Sequence, residues 1–287
     1  MAVEATTIVV QLLNGISIGI SIALIAAGLT LIFGVMDIVN FAHGEFYMIG
    51  AYGAIAFLPY LGNFWIAVAG AALFTAVFAV GMERLTLKPL RGRDPLQSLI
   101  VTFGFVLILQ QLALEIFGGS PQEMPTPITG TFQIFGITYP WIRIATIVGG
   151  IIILGALFYF LARTRLGIMM RASAEDLDTA RALGVPSDRV FSLSIGISAV
   201  LAALAAPFLG VVRGVNPTMG AGVIIPAFIV VIVGGLGSVW GAVVAALLIG
   251  LIESMTVLFL PPWMSQILAL GVLIAVLLVR PEGLFGE

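Results

Sequence analysis

The sequence predicts an all-α polytopic membrane protein of about eight or nine transmembrane helices, and three observations carry that prediction. Hydrophobic residues make up 61% of the 287 residues. Charged residues make up only 9%, against roughly 25% in soluble domains, so the chain cannot clothe a water-exposed surface. Apolar runs of about 20 residues, each long enough to cross a bilayer core of about 30 Å, recur along the whole length. A transmembrane barrel would instead alternate polar and apolar residues in stretches of about 10, and the sequence contains none.

Cut at glycine, proline and charge, the apolar runs place spans at 8–34, 38–60, 63–83, 96–117, 140–163, 189–213, 219–236, 239–260 and 262–280. The run at 219–236 is the shortest. Its part before Gly234–Gly235 is about 15 residues, about 22 Å as helix, and it contains Pro226, so a broken crossing is expected. No polar interval is large enough for a soluble domain, and residues 1–287 read as one transmembrane domain with a polar loop at 164–188. The N-terminal stretch MAVEATT carries Glu4 and no basic residue, unlike the positive start of a cleaved signal peptide, so the first run is expected to be a retained span.

Orientation follows from the polar connections. Residues 84–95 hold Arg84, Lys88, Arg91 and Arg93, and residues 163–189 hold Arg163, Arg165, Arg171, Arg181 and Arg189, whereas 118–139 hold no basic residue. Basic loops stay on the cytoplasmic side, which predicts an outer N-terminus and a cytoplasmic C-terminus after Arg280, with Arg143 and Arg213 as exceptions. A net charge of −2 offers no basic surface to nucleic acid, and the absence of cysteine removes disulfides and thiolate metal sites. One histidine is a poor ligand set for zinc. No metal site, cofactor or catalytic residue is expected.

Polar groups are instead concentrated in DIVNFAHGEFYMIGAYG, residues 37–53, which hold Asp37, Asn40, His43 and Glu45. On a continuous helix Asn40, His43 and Tyr47 share one face, continued by Gly50 and Ala54, while Glu45 points the other way. Gly44 between them permits a break. Ionisable groups inside a span are costly and usually face a bundle interior or a wet cavity. The stretch therefore reads either as a solvated helix entrance or as the lining of a substrate path, and its place after the first span favours an inner gate over a midplane site.

Two ridges of small residues stand out. The first span carries Gly15, Gly19, Ala23 and Ala27 at four-residue spacing, and GGLGSVWGAVVAALLIG (234–250) carries Gly241, Ala245 and Ile249. Such spacing lets helix backbones approach closely. Gly234, Gly235 and Gly237 break the helix before the second ridge and could act as a hinge at a gate. Glu253, inside the following span, has no assigned role in the sequence; Arg213 and Arg143 are the two basic residues that could pair with it.

The loop RASAEDLDTARALGVPSDR (171–189) predicts a short helix over Ser173–Gly184. Ser173 is a candidate N-cap with Asp176 three residues on, Glu175 and Asp176 suit the positive end of the dipole, and Gly184 with Pro186 ends the helix. Leu177, Ala180 and Leu183 form a narrow apolar stripe. A helix this short needs a surface to lie on, and its alanines and acids suit a protein groove better than lipid.

Read together, GLTLIFGVMDIVNFAHGEFYMIGAY (28–52), MERLTLKPLRGRDP (82–95), RASAEDLDTARALGV (171–185), GGLGSVWGA (234–242) and RPEGLFG (280–286) resemble the LivH-type permease subunits of branched-chain amino acid ABC importers. The resemblance implies the type II importer permease architecture in a bacterial inner membrane. It implies a LivM-type sister permease, two cytoplasmic ATPase subunits and a periplasmic solute-binding protein as partners, with surrounding membrane lipid. The helix over Ser173–Gly184 would then couple to an ATPase, and the substrate would be a branched-chain or related small amino acid or amide. A chain without a phosphate-binding loop carries no ATP hydrolysis of its own. The competing reading is an ion-coupled carrier using Asp37, His43, Glu45 and Glu253.

Overall fold

The structure is a computed structural model that describes residues 5–134 and 136–286; Met1–Glu4, and with them the acidic start of the chain, lie outside the described residues. Each predicted span carries one helix: α1 (Ala5–Met36), α2 (His43–Leu61), α3 (Phe64–Met82), α4 (Pro95–Phe117), α5 (Trp141–Arg163), α8 (Ser187–Arg213), α9 (Met219–Gly234), α10 (Val239–Thr256) and α11 (Met264–Val279). Two short helices, α6 (Arg165–Glu175) and α7 (Leu177–Ala182), fill the loop between α5 and α8. Six of the helices are long and apolar enough to cross a membrane, while α9 and α11 are shorter apolar helices. The 118–139 interval, read from sequence as a plain loop, contains an antiparallel hairpin of β1 (Thr131–Ile134) and β2 (Ile137–Pro140), paired from Thr131 with Pro140 to Ile134 with Ile137.

The bundle has two distinct ends. Met36, the Lys88–Arg93 loop, α6 and α7 gather at one, the basic end; the β-hairpin and the Arg213–Glu253 ion pair mark the other, the hairpin end. Glu253 thus takes Arg213 as its partner.

Helix α1 is the central post. Its most apolar 18-residue stretch is 83% buried, which explains why it is apolar all round instead of amphipathic. The first ridge meets α10 here through Ala246, Leu247, Gly250 and Leu251, one position off the row read from the sequence, whose Gly241 instead meets Gly234. A Cβ added to Gly19 would lie 2.9 Å from the Ala246 carbonyl oxygen and the Leu247 Cα, and one added to Gly15 would lie 2.9 Å from the Leu251 Cα. The α1 and α10 backbones therefore touch. On another side of α1, the Ser198 hydroxyl of α8 donates to the Gly28 carbonyl at 2.7 Å.

At the basic end α9 stops at Gly234, and the chain turns through Gly235 (φ 104°) and Gly237 (φ 85°) into the Ser238 cap of α10. A left-handed residue here favours glycine because no side chain crowds the backbone. The terminal RPEGLFG segment folds back onto this turn: Leu284 N–H donates to the Val233 carbonyl at 2.8 Å and Phe285 N–H to the Gly234 carbonyl at 3.1 Å. These are carbonyls at the end of α9 that the helix itself cannot satisfy.

Gly19→Val should force the α1–α10 contact apart at a cost of about 1–3 kcal/mol. Gly81 in α3 has no heavy atom within 4 Å of an added Cβ, so Gly81→Ala should be neutral or gain up to about 1 kcal/mol. Thermal unfolding in detergent reads both: a Gly19→Val melting temperature equal to wild type would refute the close-packed seam.

Candidate functional site

The stretch after α1 does not continue as a helix. Asp37 closes α1 with its N–H on the Phe33 carbonyl at 2.8 Å, adopts φ 50° and is exposed. The next residues are non-helical and lead back into the bundle beside α9, where the Phe41 and Phe228 rings lie 5.1 Å apart. Helix α2 begins only at His43. His43 Nε2–H donates to the Ile25 carbonyl at 2.9 Å. Ile25 lies eleven residues, about 16 Å of helix, before the end of α1 at Met36.

This corrects two sequence expectations. Asn40 lies outside the helix, so it does not share a helical face with His43 and Tyr47, which do stay together on α2. The polar stretch also sits well inside the bundle and not at an entrance beside the end of α1. The physical reason is the non-helical path: residues 37–40 carry no regular structure, Phe41 and Ala42 form a turn, and the chain returns to the level of Ile25 before α2 starts.

A second helix starts at the same depth. Helix α9 begins at Met219, and a Cβ on Gly44 of α2 would meet the Gly220 carbonyl oxygen. Gly44 is thus a point of close approach and not a break. From this meeting point α2 runs to the hairpin end, where Tyr52 stacks on Phe117 at 4.2 Å, and α9 runs to the basic end. Neither start is capped by a side chain, the flanking residues being Ala42 and Thr218.

The buried polar groups collect here. Asn40 and His43 are fully buried and Glu45 is 1% exposed. Gln110 Nε2–H donates to Glu45 Oε1 at 2.9 Å, and Thr102 Oγ1 accepts from Phe41 N–H at 3.3 Å. Both side-chain atoms of Asn40, His43 Nδ1 and Glu45 Oε2 lack a hydrogen-bond partner. Buried polar atoms are nearly always paired, so unpaired ones gathered within six residues mark a place built for something else. Tyr47, also buried, lies one turn further along α2. Beyond Gln110 lies a cavity of about 580 Å³, walled by Gln110, Gln111, Asn216 and Thr218 with Leu107 and Leu114. Among the described residues no group of three or more His, Cys, Asp or Glu side chains could hold a metal ion.

Gln110, Asn216 and Thr218 were not legible as site residues, since each sits alone in its own segment. Gly234, Gly235 and Gly237 lie at the opposite end of α9 from Glu45, under the terminal segment.

The loop helix also differs from expectation. Ser173 is buried inside α6 with its hydroxyl unpartnered, and it caps nothing. Asp176 breaks the helix at φ −152° and caps α7, its Oδ1 accepting from the N–H groups of Asp178 at 3.0 Å and Thr179 at 2.9 Å. A 2.6 Å bond from the Thr179 hydroxyl, with these backbone bonds, holds the Asp176 carboxyl below its usual range. Glu175 ends α6 instead of opening a helix. Gly184 does end α7: its N–H reaches the Arg181 carbonyl and the Val185 N–H reaches that of Ala180, the paired bonds of a Schellman turn. The apolar stripe is divided. Ala180 is 3% exposed, Leu177 packs on the core, and Leu183 is 81% exposed. Ala180 therefore faces its own chain, and Leu183 with Ala182 forms the outward tip.

A charged node ties this loop to α3. Arg91 pairs with fully buried Glu83, which ends α3 in a π-helical turn, and with Asp188 at 2.6 Å in the first turn of α8. Ser192 Oγ–H donates to Glu83 at 2.8 Å, and the Arg91 guanidinium lies 4.4 Å over the Phe191 ring. Lys88 adds a second cation to Asp188 at 2.8 Å.

The family model described as "Branched-chain amino acid transport system / permease component" matches residues 11–277. The chain belongs to this family. It is 35% identical to the branched-chain amino acid permease protein BraD of Pseudomonas aeruginosa, over 96% of this chain and 95% of that one. Identity to LivH of Escherichia coli is 33% over the same shares. Identity to LivM of the same organism is 29%, over 91% of this chain and 67% of that one. No solved structure matches. Family membership makes the chain a membrane transport permease component and not an enzyme, and it disfavours an ion-coupled carrier.

Arg91→Met leaves the Glu83 carboxylate buried without its cation, and should destabilise the protein by about 3–5 kcal/mol. Adding Glu83→Gln should recover most of the loss. The double-mutant cycle is read by thermal unfolding, and additive single effects would show that the pair does not interact.

Proposed function

We propose that this chain is the LivH-type half of the membrane channel in an inner-membrane ABC importer, and that it passes branched-chain or related small amino acids into the cytoplasm. The observation that carries the reading is the meeting of α2 and α9 at mid-bundle, with Asn40, His43 and Glu45 keeping unpaired polar atoms there. Broken helices whose ends meet inside a bundle are how many transporters present polar groups to a solute. Asn40, His43, Glu45 and Tyr47 line the path, and the Gly234–Gly237 turn supplies its flexible inner end. The partners are a LivM-type sister permease, two cytoplasmic ATPases and a periplasmic solute-binding protein. The likeness of one chain to both LivH and LivM suits a pair of related halves around a shared path.

The basic end faces the cytoplasm, because Lys88, Arg91, Arg93, Arg181 and their neighbours cluster there. The N-terminus is then periplasmic and the tail after Arg280 cytoplasmic. Helix α7 docks on an ATPase through Leu183 and Ala182, flanked by Asp178 and Thr179. Motion of α7 passes through the Asp188–Arg91 clamp into α8. Helix α8 holds α1 through Ser198, and its Ala203 sits where a Cβ on Gly50 of α2 would clash. One rigid helix thus links the docking tip to both walls of the site.

The test is uptake of a branched-chain amino acid into vesicles holding the complete importer, with ATP and loaded binding protein. Leu183→Asp should insert normally, lose its ATPase subunits on purification and abolish uptake. Ala180→Arg should instead unfold the loop locally, because Ala180 packs inward. A Leu183→Asp complex that keeps its ATPases and transports normally would overturn the docking assignment, and wild-type vesicles that take up no amino acid would overturn the function.

A further inference from the structure

We propose that Glu45 is the group that receives the positively charged ammonium of an amino-acid substrate during passage. The inference rests on the permease reading and deepens it by assigning one half of the substrate to one carboxylate.

Glu45 is 1% exposed, and only Oε1 is engaged, by Gln110. Oε2 is buried and has no partner. Among the described residues, no lysine or arginine forms an ion pair with it. A buried carboxylate without a cation is costly, and charged groups inside membrane spans mark solute pathways. The N-terminal ends of α2 and α9 lend partial positive charge that steadies the group at rest, yet no N–H of either helix bonds to Oε2.

The surroundings preserve this vacancy. A Cβ on Gly220 would lie 2.7 Å from the carboxyl carbon and both oxygens of Glu45, so any side chain there would occupy the space the carboxylate faces. Gln110 is also a wall of the 580 Å³ cavity. One amide side chain therefore stands between Glu45 and open volume. If Gln110 swings aside, an ammonium with its three donors reaches Oε2 from the cavity. The amides of Gln111 and Asn216 and the Thr218 hydroxyl are left for the substrate carboxylate, and Leu107 and Leu114 for an aliphatic side chain.

The experiment uses the complete importer in vesicles and the Glu45→Gln variant, which keeps the volume and the bond to Gln110 but removes the charge. Leucine uptake with saturating loaded binding protein should fall by about ten- to a hundredfold, as for loss of a charge-assisted hydrogen bond. ATPase stimulation by the loaded binding protein and subunit co-purification should stay at wild-type levels, and Glu45→Asp should be intermediate. Leucine uptake by Glu45→Gln within about twofold of wild type would overturn the proposal. Loss of stimulated ATPase or of assembly together with uptake would overturn it too, by making Glu45 a structural group. The wild-type complex in the same vesicles reads the underlying function separately: absent wild-type uptake refutes the permease reading, whereas intact wild-type uptake with an active variant refutes only the role of Glu45.

Discussion

Every backbone N–H and C=O inside a bilayer has to find its partner within the protein, and the architecture turns on how this chain meets that demand while starting two helices in the middle of the bundle. The non-helical return after Asp37 is tolerable because it is shielded by α1, α4 and α9. His43 N–H uses the Asn40 carbonyl and Phe41 N–H uses the Thr102 hydroxyl. At the far end of α9 the exposed carbonyls of Val233 and Gly234 are taken up by the terminal segment. Broken helices are thus paid for by loops and tails, which explains why the sequence carries distinctive motifs at 37–45, 234–238 and 280–286 and plain aliphatic runs elsewhere.

Close backbone contact is the second requirement. Glycine and alanine ridges bring α1 onto α10, Gly28 onto α8, Gly44 onto α9 and Gly50 onto Ala203. Dispersion across such seams substitutes for the hydrophobic drive that lipid cannot supply. The same seams leave α1 and α8 as a stiff frame, into which α9 is packed through Val223, Ile224, Ala227, Val230 and Val233, while the short helix α7 is held mainly by Ala180, Leu177 and its end bonds.

Much of this was legible in the sequence. The nine apolar runs match nine helices, and the small-residue ridge of α1 does lie on α10, although against Ala246 and Gly250 and not the row read from the sequence; Arg213 was one of two partners open to Glu253. What escaped has local causes. The non-helical stretch at 37–42 hid because isoleucine, valine and phenylalanine read equally well as helix in an apolar window. Ser173 and Asp176 mimic a capping box, yet aspartate, able to take two N–H groups and the Thr179 hydroxyl at once, wins the cap. The Glu45–Gln110 pair and the Arg91–Glu83–Asp188 node join segments that no periodicity links, so only the fold brings them together.

The seam between α1 and α10 joins Gly15 and Gly19 to residues some 230 positions later. At a synthesis rate of about 5–20 residues per second, the first helix waits in the bilayer for roughly 10–50 s before its partner emerges. During that interval its glycine face is open to lipid and to any other small-residue helix nearby. The central post of the finished protein therefore stands with its small-residue face uncovered until almost the whole chain has been made.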